Sequence, residues 1–424
     1  MWEQIRANRI KSVILVMAMG SILFAIGWLL GAAFMGNGIA GLVIALIIWL
    51  IMNLIAYFSG DSLLLSITKA KKIKHDDHPR LFNIVEEMKI ASGLEYMPSI
   101  YIIDTPAMNA FAAGRDPKHA SVAVTSGLLQ RLNRDELQGV IAHEMAHIKN
   151  RDVLLMSLCS VLLGTIVILA WYASRIMIYG AIAGGGRSRR SSSGGGGQGQ
   201  IIIFVVAIVL MIVAPLLAYL IYFAISRKRE YLADASAAVY TRYPEGLASA
   251  LEKLSKSTHK LETANKATAS MFIINPLNRT KKKEAANLSS THPPISERVR
   301  ILRSMSGGAS FLDYNSAYSA VHNGKNVVGA KSLSDVTPVS MRKAGVPIAM
   351  AGAIAAAGAK STPKPTPEPT AKERARETSD MLWKHSKHRL VNCQCGTKLR
   401  IPPNYTHSNV KCPHCGTINT IPKS

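Results

Sequence analysis

Four long apolar runs constrain this chain more than any other feature. Val13–Met35, Gly38–Phe58, Val153–Ala173 and Ile201–Ile225 contain no charged side chain. Each reaches the roughly 20 residues that a helix needs to cross a bilayer. The first two are separated only by the tight turn Gly36-Asn37-Gly38, so they read as a transmembrane hairpin. A cleaved signal peptide is the competing reading, with Gly31–Gly36 resembling a cleavage site. The first run is too long for an ordinary signal core, and a second run follows at once. Basic residues flank both outer ends of the hairpin: Arg6, Arg9 and Lys11 before it, Lys69, Lys71, Lys72 and Lys74 after it. Both ends are therefore expected in the cytoplasm. The 50 Lys and Arg against 26 Asp and Glu leave a net charge of +24. Anionic lipid headgroups or nucleic acid would suit that excess, and the positive-inside bias of a membrane protein explains it most simply.

Between the second and third runs lies a soluble segment. Leu81–Ser92 has helical apolar spacing and stops at Gly93. Ser99–Ile103 and Ala120–Thr125 read as two strands, with the turn-prone Gly114-Arg115-Asp116-Pro117 between them. A helix should then start near Asn133, an N-cap candidate with Glu136 three residues on. Its small residues Gly139, Ala142 and Ala146 would let a partner helix approach closely. It is expected to run straight into the third apolar run.

That helix carries the chemistry. His143-Glu144-Met-Ala-His147 is an H-E-x-x-H motif. Residues four apart share a helix face, so both imidazoles can reach one metal ion. Glu144 sits one residue from the first histidine, where it can act on a water rather than on the metal. A third ligand must come from elsewhere. Beyond the fourth run, Glu230-Tyr-Leu-Ala-Asp234 places two carboxylates on one helical face. Alone this is an ordinary charged cluster outside a span. Paired with H-E-x-x-H, Glu230 completes a site with two histidines and one carboxylate, which leaves a fourth position open. Asp234 would then hold a ligand histidine through its other ring nitrogen.

Span parity supports the pairing. If the third and fourth runs form a second hairpin, the start of one and the end of the other share a membrane face. His147 lies six residues before the third run and Glu230 five after the fourth. At the helical rise each is within about 7–9 Å of the membrane boundary. Arg187, Arg189 and Arg190, in the Gly/Ser/Arg-rich loop 184–197, would then lie outside, against the charge rule. A buried or partly inserted helical pair is the alternative.

Four ordered stretches carry a family resemblance: A-M-N-A-F-A-A-G from Ala107, A-H-E-M-A-H-I from Ala142, E-Y-L-A-D from Glu230 and T-H-P-P-I-S-E-R from Thr291. Over roughly residues 1–305 the chain resembles the HtpX-type membrane-bound zinc metalloproteases, which are related to the CAAX prenyl endoproteases. The resemblance implies a gluzincin-type domain on the cytoplasmic face of the bacterial plasma membrane. It implies an endopeptidase that cleaves misfolded or damaged membrane proteins, often under stress. It makes His143, His147 and Glu230 the zinc ligands and Glu144 the general base. His292 and Arg298 would lie near the substrate and the oxyanion, and Asn109 and Ala110 beside the cleft, where an edge strand would hold an extended peptide.

The resemblance fades after about residue 305. Residues 306–340 show no motif, Ala344–Gly358 is too short and Gly/Ala-rich for a span, and Ser361–Thr370 is a Pro-rich spacer. Four of the five cysteines then cluster as Cys393-x-Cys395 and Cys412-x-x-Cys415, while Cys159 lies alone in an apolar run. The cluster reads as a four-cysteine zinc ribbon in a reducing compartment. The first pair is one residue tighter than usual, so His388 or His414 could replace one thiolate. A tail this short cannot fold on apolar burial alone, and metal supplies the missing stability.

The expected fold is thus a mainly α membrane protein with about four transmembrane helices, a cytoplasmic α+β metalloprotease domain and a small C-terminal zinc ribbon. Its divisions are a transmembrane hairpin (1–60), the first protease part (61–152), a second hairpin (153–225), the second protease part (226–305), a partly Pro-rich linker (306–380) and the ribbon (381–424). The expected cofactors are one catalytic and one structural zinc ion. Expected partners are the bilayer, membrane-protein substrates and a protein recruited through the ribbon; nucleic acid is disfavoured. A non-catalytic scaffold using both metal sites structurally is the competing function, and Glu144 argues against it.

Overall fold

The computed structural model describes residues 2–156, 227–259, 261–262, 271–276, 292–305, 308–329, 339–346, 368–386, 389–402 and 404–421, with single residues at 168, 171, 175, 208, 212, 215 and 333. The second hairpin (153–225) and the loop 184–197 fall almost wholly outside these residues, so the parity argument does too. Cys159, His388 and most of the stretches 344–358 and 361–370 also lie outside them.

Helices α1 (Trp2–Met35) and α2 (Gly38–Ile67) form the expected hairpin, and the Asn37 side chain caps α2 by accepting from the backbone of Ile39 and Ala40. Their crossing is close because glycines face each other. A Cβ on Gly41 would stand 2.1 Å from the Gly27 carbonyl oxygen and 2.6 Å from the Gly31 Cα. Small residues at such a crossing let backbones pack without large side chains between them. The window Gly38–Ile55 has a mean hydropathy of 2.6 and is long and apolar enough to cross a membrane. It is the one such span among the described residues. The 30 residues of α2 measure about 45 Å, well beyond the roughly 30 Å of a hydrocarbon core. The excess leads into the soluble domain, where Leu64 and Leu65 are buried.

A four-stranded sheet stands on this helix end, with strands β1 (Lys71–Lys72), β2 (Ser99–Ile103), β3 (Ala110–Gly114) and β4 (Ala120–Thr125) in the order β1-β2-β4-β3. β2 and β4 are parallel, whereas β3 and β4 form an antiparallel hairpin. Arg115, in the β3–β4 turn, lies 5.8 Å over the Tyr57 ring and 5.7 Å over the Phe58 ring of α2. Alternation along β4 separates two cores. Val122 and Val124 join the main cluster, and Ala123 joins Leu64, Leu65, Phe111 and Phe272 on the other face.

On the main face lie α3 (Pro79–Ser92), α4 (Ser126–Arg131) and α5 (Arg134–Lys149), then α6 (residues 227–241), α7 (Pro244–Lys256) and α8 (Ile295–Arg303). The start of α5 is the capping box read from the sequence. Asn133 accepts from the Glu136 backbone at 2.8 Å, and Glu136 accepts from the Asn133 backbone at 2.9 Å. Gly139 allows close approach of α7, since a Cβ there would meet Leu247 N at 2.7 Å.

The chain beyond residue 305 departs from the linker expected over 306–380. Helix α9 (Phe311–Val321) buries Tyr314 and Ala317 in the main core. Arg342 donates to Gln138 at 2.8 Å and to the Thr241 carbonyl at 2.7 Å, and pairs with Asp135 at 2.7 Å. Helix α10 (Ala371–His385) packs on α4, with Met381 in the main core and Glu377 beside Arg80 and His78. Helix α9, Arg342 and α10 therefore pack into the same body as α3–α8, through long-range contacts that local composition does not reveal. The ribbon follows α10 directly, as two hairpins: β5 (Arg389–Asn392) with β6 (Lys398–Ile401), and β7 (Asn409–Lys411) with β8 (Ile418–Thr420).

Candidate active site

Two helices bring the predicted ligands together. His143 and His147 project from one face of α5, and Glu230 from α6 opposite; all three are buried, and their ligand atoms lie within 4.8 Å of one another. The two Nε2 atoms are 3.2 Å apart. His143 Nε2 is 3.6 Å from Glu230 Oε2, and His147 Nε2 is 3.6 Å from Glu230 Oε1. Tetrahedral zinc with bonds of about 2.0–2.1 Å sets ligand atoms about 3.3 Å apart, so this triangle fits the ion. The other ring nitrogens support the same reading. His143 Nδ1 lies 3.0 Å from Asp234 Oδ1, and His147 Nδ1 lies 3.1 Å from Asp152 Oδ2. Each carboxylate accepts a hydrogen bond from the Nδ1–H, which fixes the tautomer and turns both Nε2 lone pairs towards one point. Two lone pairs and a carboxylate converging in a buried place require a cation.

Asp234 lies against His143 Nδ1 and is paired with Arg298. Expected beside the substrate and the oxyanion, Arg298 is instead fully buried, and its guanidinium forks onto Asp234 at 2.7 and 2.6 Å. It also donates to the Ile273 carbonyl at 3.2 Å and stands 3.5 Å from Glu230. A bidentate arginine of this kind fixes the carboxylate that fixes the ligand. His292 lies nearer the ion site, with Nδ1 3.0 Å from Glu230 Oε2.

Asn109 and Ala110, expected to hold a peptide, are engaged within the chain. The Asn109 amide donates to the Ile274 carbonyl at 2.8 Å, and the Ala110 carbonyl accepts from Ile273 N at 3.0 Å. Residues 271–274 therefore already pair with this end of edge strand β3.

Glu144 is buried beside the ligands, and its Oε1 has no hydrogen-bond partner among the described residues. Burial raises its pKa above the usual carboxylate value, opposed by His143 and His147. A carboxylate whose proton affinity is raised towards neutrality suits a general base. Glu230 moves the other way. Burial alone would raise it, but His292 and His143 hold it well below the ordinary value. Burial also depresses His143, yet hydrogen bonds to Asp234 and Glu230 outweigh it and push the pKa up to about 9. The negative field that favours a proton there is the field that would hold a divalent cation.

Sequence reasoning missed Asp152. It lies five residues after His147, and a continuous helix would turn it away from that ring. The expected straight passage from α5 into the third run does not occur. α5 ends at Lys149, Arg151 adopts a left-handed φ of +58°, and a new helical stretch starts at residue 152. Only that break brings the carboxylate to Nδ1.

The cysteines form a second candidate centre. Cys393 Sγ is 3.4 Å from Cys415 Sγ, and Cys395 Sγ is 3.7 Å from Cys412 Sγ. Thiolates around zinc at about 2.3 Å stand about 3.8 Å apart, whereas a disulfide needs about 2.05 Å. The spacing fits a zinc ribbon with all four cysteines as ligands, and His414 is not needed. The tight Cys393-Gln-Cys395 knuckle closes through Gly396, whose φ of +81° matches that of Gly416 (+77°) in the other knuckle. Contacts with Thr417 pull the Cys415 thiol down to about 6, towards the thiolate that a metal takes.

The profile of peptidase family M48 matches residues 75–306, a span that contains all three ligands, Glu144, Asp152, Asp234 and Arg298. The chain belongs to peptidase family M48. A protein named Protease HtpX homolog from Dictyoglomus thermophilum is 42% identical over 312 residues, covering 74% of this chain and 97% of that one. Homologs of the same name from Syntrophobacter fumaroxidans and Listeria innocua are 42% identical over 300 residues and 41% over 306, covering 99% and 100% of their own lengths. Among solved structures, the crystal structure of S. mikatae Ste24p is similar at 20% identity and a TM-score of 0.35, over 70% of this chain and 66% of that one. This M48 chain is a metalloprotease. The M48 match ends at residue 306, so α9, α10 and the ribbon lie beyond the matched span.

Proposed function

We propose that this M48 metalloprotease is a zinc endopeptidase embedded in the bacterial plasma membrane, cleaving misfolded or damaged membrane proteins on the cytoplasmic side as part of a stress response. The observation that carries the chemistry is the convergence of two histidine Nε2 atoms and the Glu230 carboxylate beside the buried Glu144. A zinc ion held by His143, His147 and Glu230 would supply the Lewis acidity that polarises the scissile carbonyl. Glu144 takes a proton from the attacking water and passes it to the leaving amine. His292, at the edge of the ligand cluster, donates a hydrogen bond to the carbonyl oxygen as charge builds there. Arg298 acts through Asp234 and His143.

The membrane reading rests on the Gly38–Ile55 window, on the way α2 continues into the sheet, and on the basic residues flanking the hairpin. The apolar runs at 153–173 and 201–225 add a second hairpin, making four spans with both termini cytoplasmic. One zinc ion at the protease site and one in the ribbon complete the cofactors. The ribbon recruits a protein partner or substrate, held in a fixed position by α10.

The test is cleavage in proteoliposomes. The protein is reconstituted with a destabilised multi-pass membrane protein, and cut sites are mapped by mass spectrometry. Cuts should fall in loops on the side of the protease domain and depend on substrate destabilisation. Cuts confined to the opposite side, or equal cutting of the intact substrate, would overturn the reading.

A further inference from the structure

We infer that Asp152 is the positioning residue for His147, delivered to it by the left-handed turn at Arg151. The inference rests on the zinc-site assignment above. His147 Nδ1 stands 3.1 Å from Asp152 Oδ2, and Asp152 is 1% exposed. On an unbroken α-helix, position 152 would lie about 140° round the axis from position 147 and about 7.5 Å along it. The carboxylate would then point away from the ring. The chain avoids this by closing α5 at Lys149 and placing Arg151 at φ +58°. An L side chain adopts that conformation only against steric resistance, and the Arg151 side chain is exposed. The gain lies one residue later, where Asp152 turns under His147.

The two ligand histidines are then held by the same device from different elements. His143 is held by Asp234 on α6, and His147 by Asp152 at the head of the third apolar run. Each bond fixes the tautomer and the ring plane, so that Nε2 presents its lone pair to the ion. His147 is therefore oriented from the point where the chain enters that run, so its geometry follows the seating of the run.

The experiment measures zinc binding by the full-length protein in detergent, using chelator competition that resolves the protease site from the cysteine site. Asp152→Ala should weaken the protease site about 10–100-fold and leave the cysteine site unchanged, which also reports that the chain is folded. Asp152→Asn keeps an oxygen that accepts the hydrogen bond from Nδ1–H and should bind within about threefold of wild type. Arg151→Gly, which reaches the left-handed region without resistance, should leave zinc affinity unchanged. Arg151→Val, β-branched and opposed to that region, should weaken the protease site as Asp152→Ala does. Wild-type affinity in Asp152→Ala would overturn the inference, as would an Asp152→Asn variant as weak as the alanine. These readouts need no proteolysis, so they stand or fall separately from the proposed substrate.

Discussion

Replacing Arg298 by methionine should be among the most damaging single changes outside the ligands themselves. Arg298 is fully buried, and its fork onto Asp234 measures 2.7 and 2.6 Å. Methionine preserves much of the apolar stem but leaves the buried Asp234 carboxylate without its guanidinium partner, with only the His143 ring beside it. Breaking one side of such a pair costs about 3–5 kcal/mol. The Ile273 carbonyl also loses its donor at 3.2 Å, adding about 1 kcal/mol. The expected loss is thus about 4–6 kcal/mol, a large part of the roughly 5–15 kcal/mol that holds a typical domain together. Denaturant unfolding in detergent, monitored by tryptophan fluorescence, measures it. The control is Arg298→Met combined with Asp234→Asn, which neutralises both partners and should recover at least about 2 kcal/mol. A cost below about 1 kcal/mol for Arg298→Met, or strict additivity in the double variant, would refute the account of this pair.

Three other outcomes follow from different parts of the molecule. Burial, with Arg80 beside it, lowers the His78 pKa to about 4, and its Nδ1 must stay unprotonated to cap α3 by accepting from Leu81 N. The unfolded chain protonates near pH 6.5, so this stability is whole above that value and is lost as pH falls towards 4. Between pH 7 and pH 5 the loss should be about 2 kcal/mol, and His78→Asn should flatten that part of a pH–stability curve. Gly139→Ala puts a Cβ 2.7 Å from Leu247 N and 2.8 Å from its Cα, so α5 and α7 must separate; denaturation should show a loss of about 1–3 kcal/mol. Cys412→Ser should lower the zinc content measured by mass spectrometry by one ion per chain while the His143 site stays filled.

Much of the protease site was legible because its signals are local. The H-E-x-x-H spacing, the Asn133–Glu136 capping box and the acid pair Glu230 and Asp234 depend only on helical periodicity. β2 and β4 were legible from their β-branched residues. β3 was not legible from composition, since A-F-A-A-G has little strand propensity and its state is imposed by pairing with β4. Asp152 was hidden because its place depends on a left-handed arginine, a conformation that no sequence rule assigns to that residue. The role of Arg298 was misread because burial behind the ligands is a tertiary fact. Residues 306–340 gave no motif, and Arg342 just beyond them acts through bonds to Gln138 and Asp135 that no local window contains.

The central claim is that Glu144 is the proton carrier of a zinc peptidase whose ligands are His143, His147 and Glu230. Glu144→Gln keeps the side chain's size and removes its ability to take a proton, without touching a ligand. The decisive measurement is the cleavage rate of one membrane-protein substrate by zinc-loaded wild type and Glu144→Gln, with metal content determined on the same samples. The account predicts equal zinc and a rate lower by at least about 10²–10⁴-fold. Equal zinc with an undiminished rate in Glu144→Gln would contradict it.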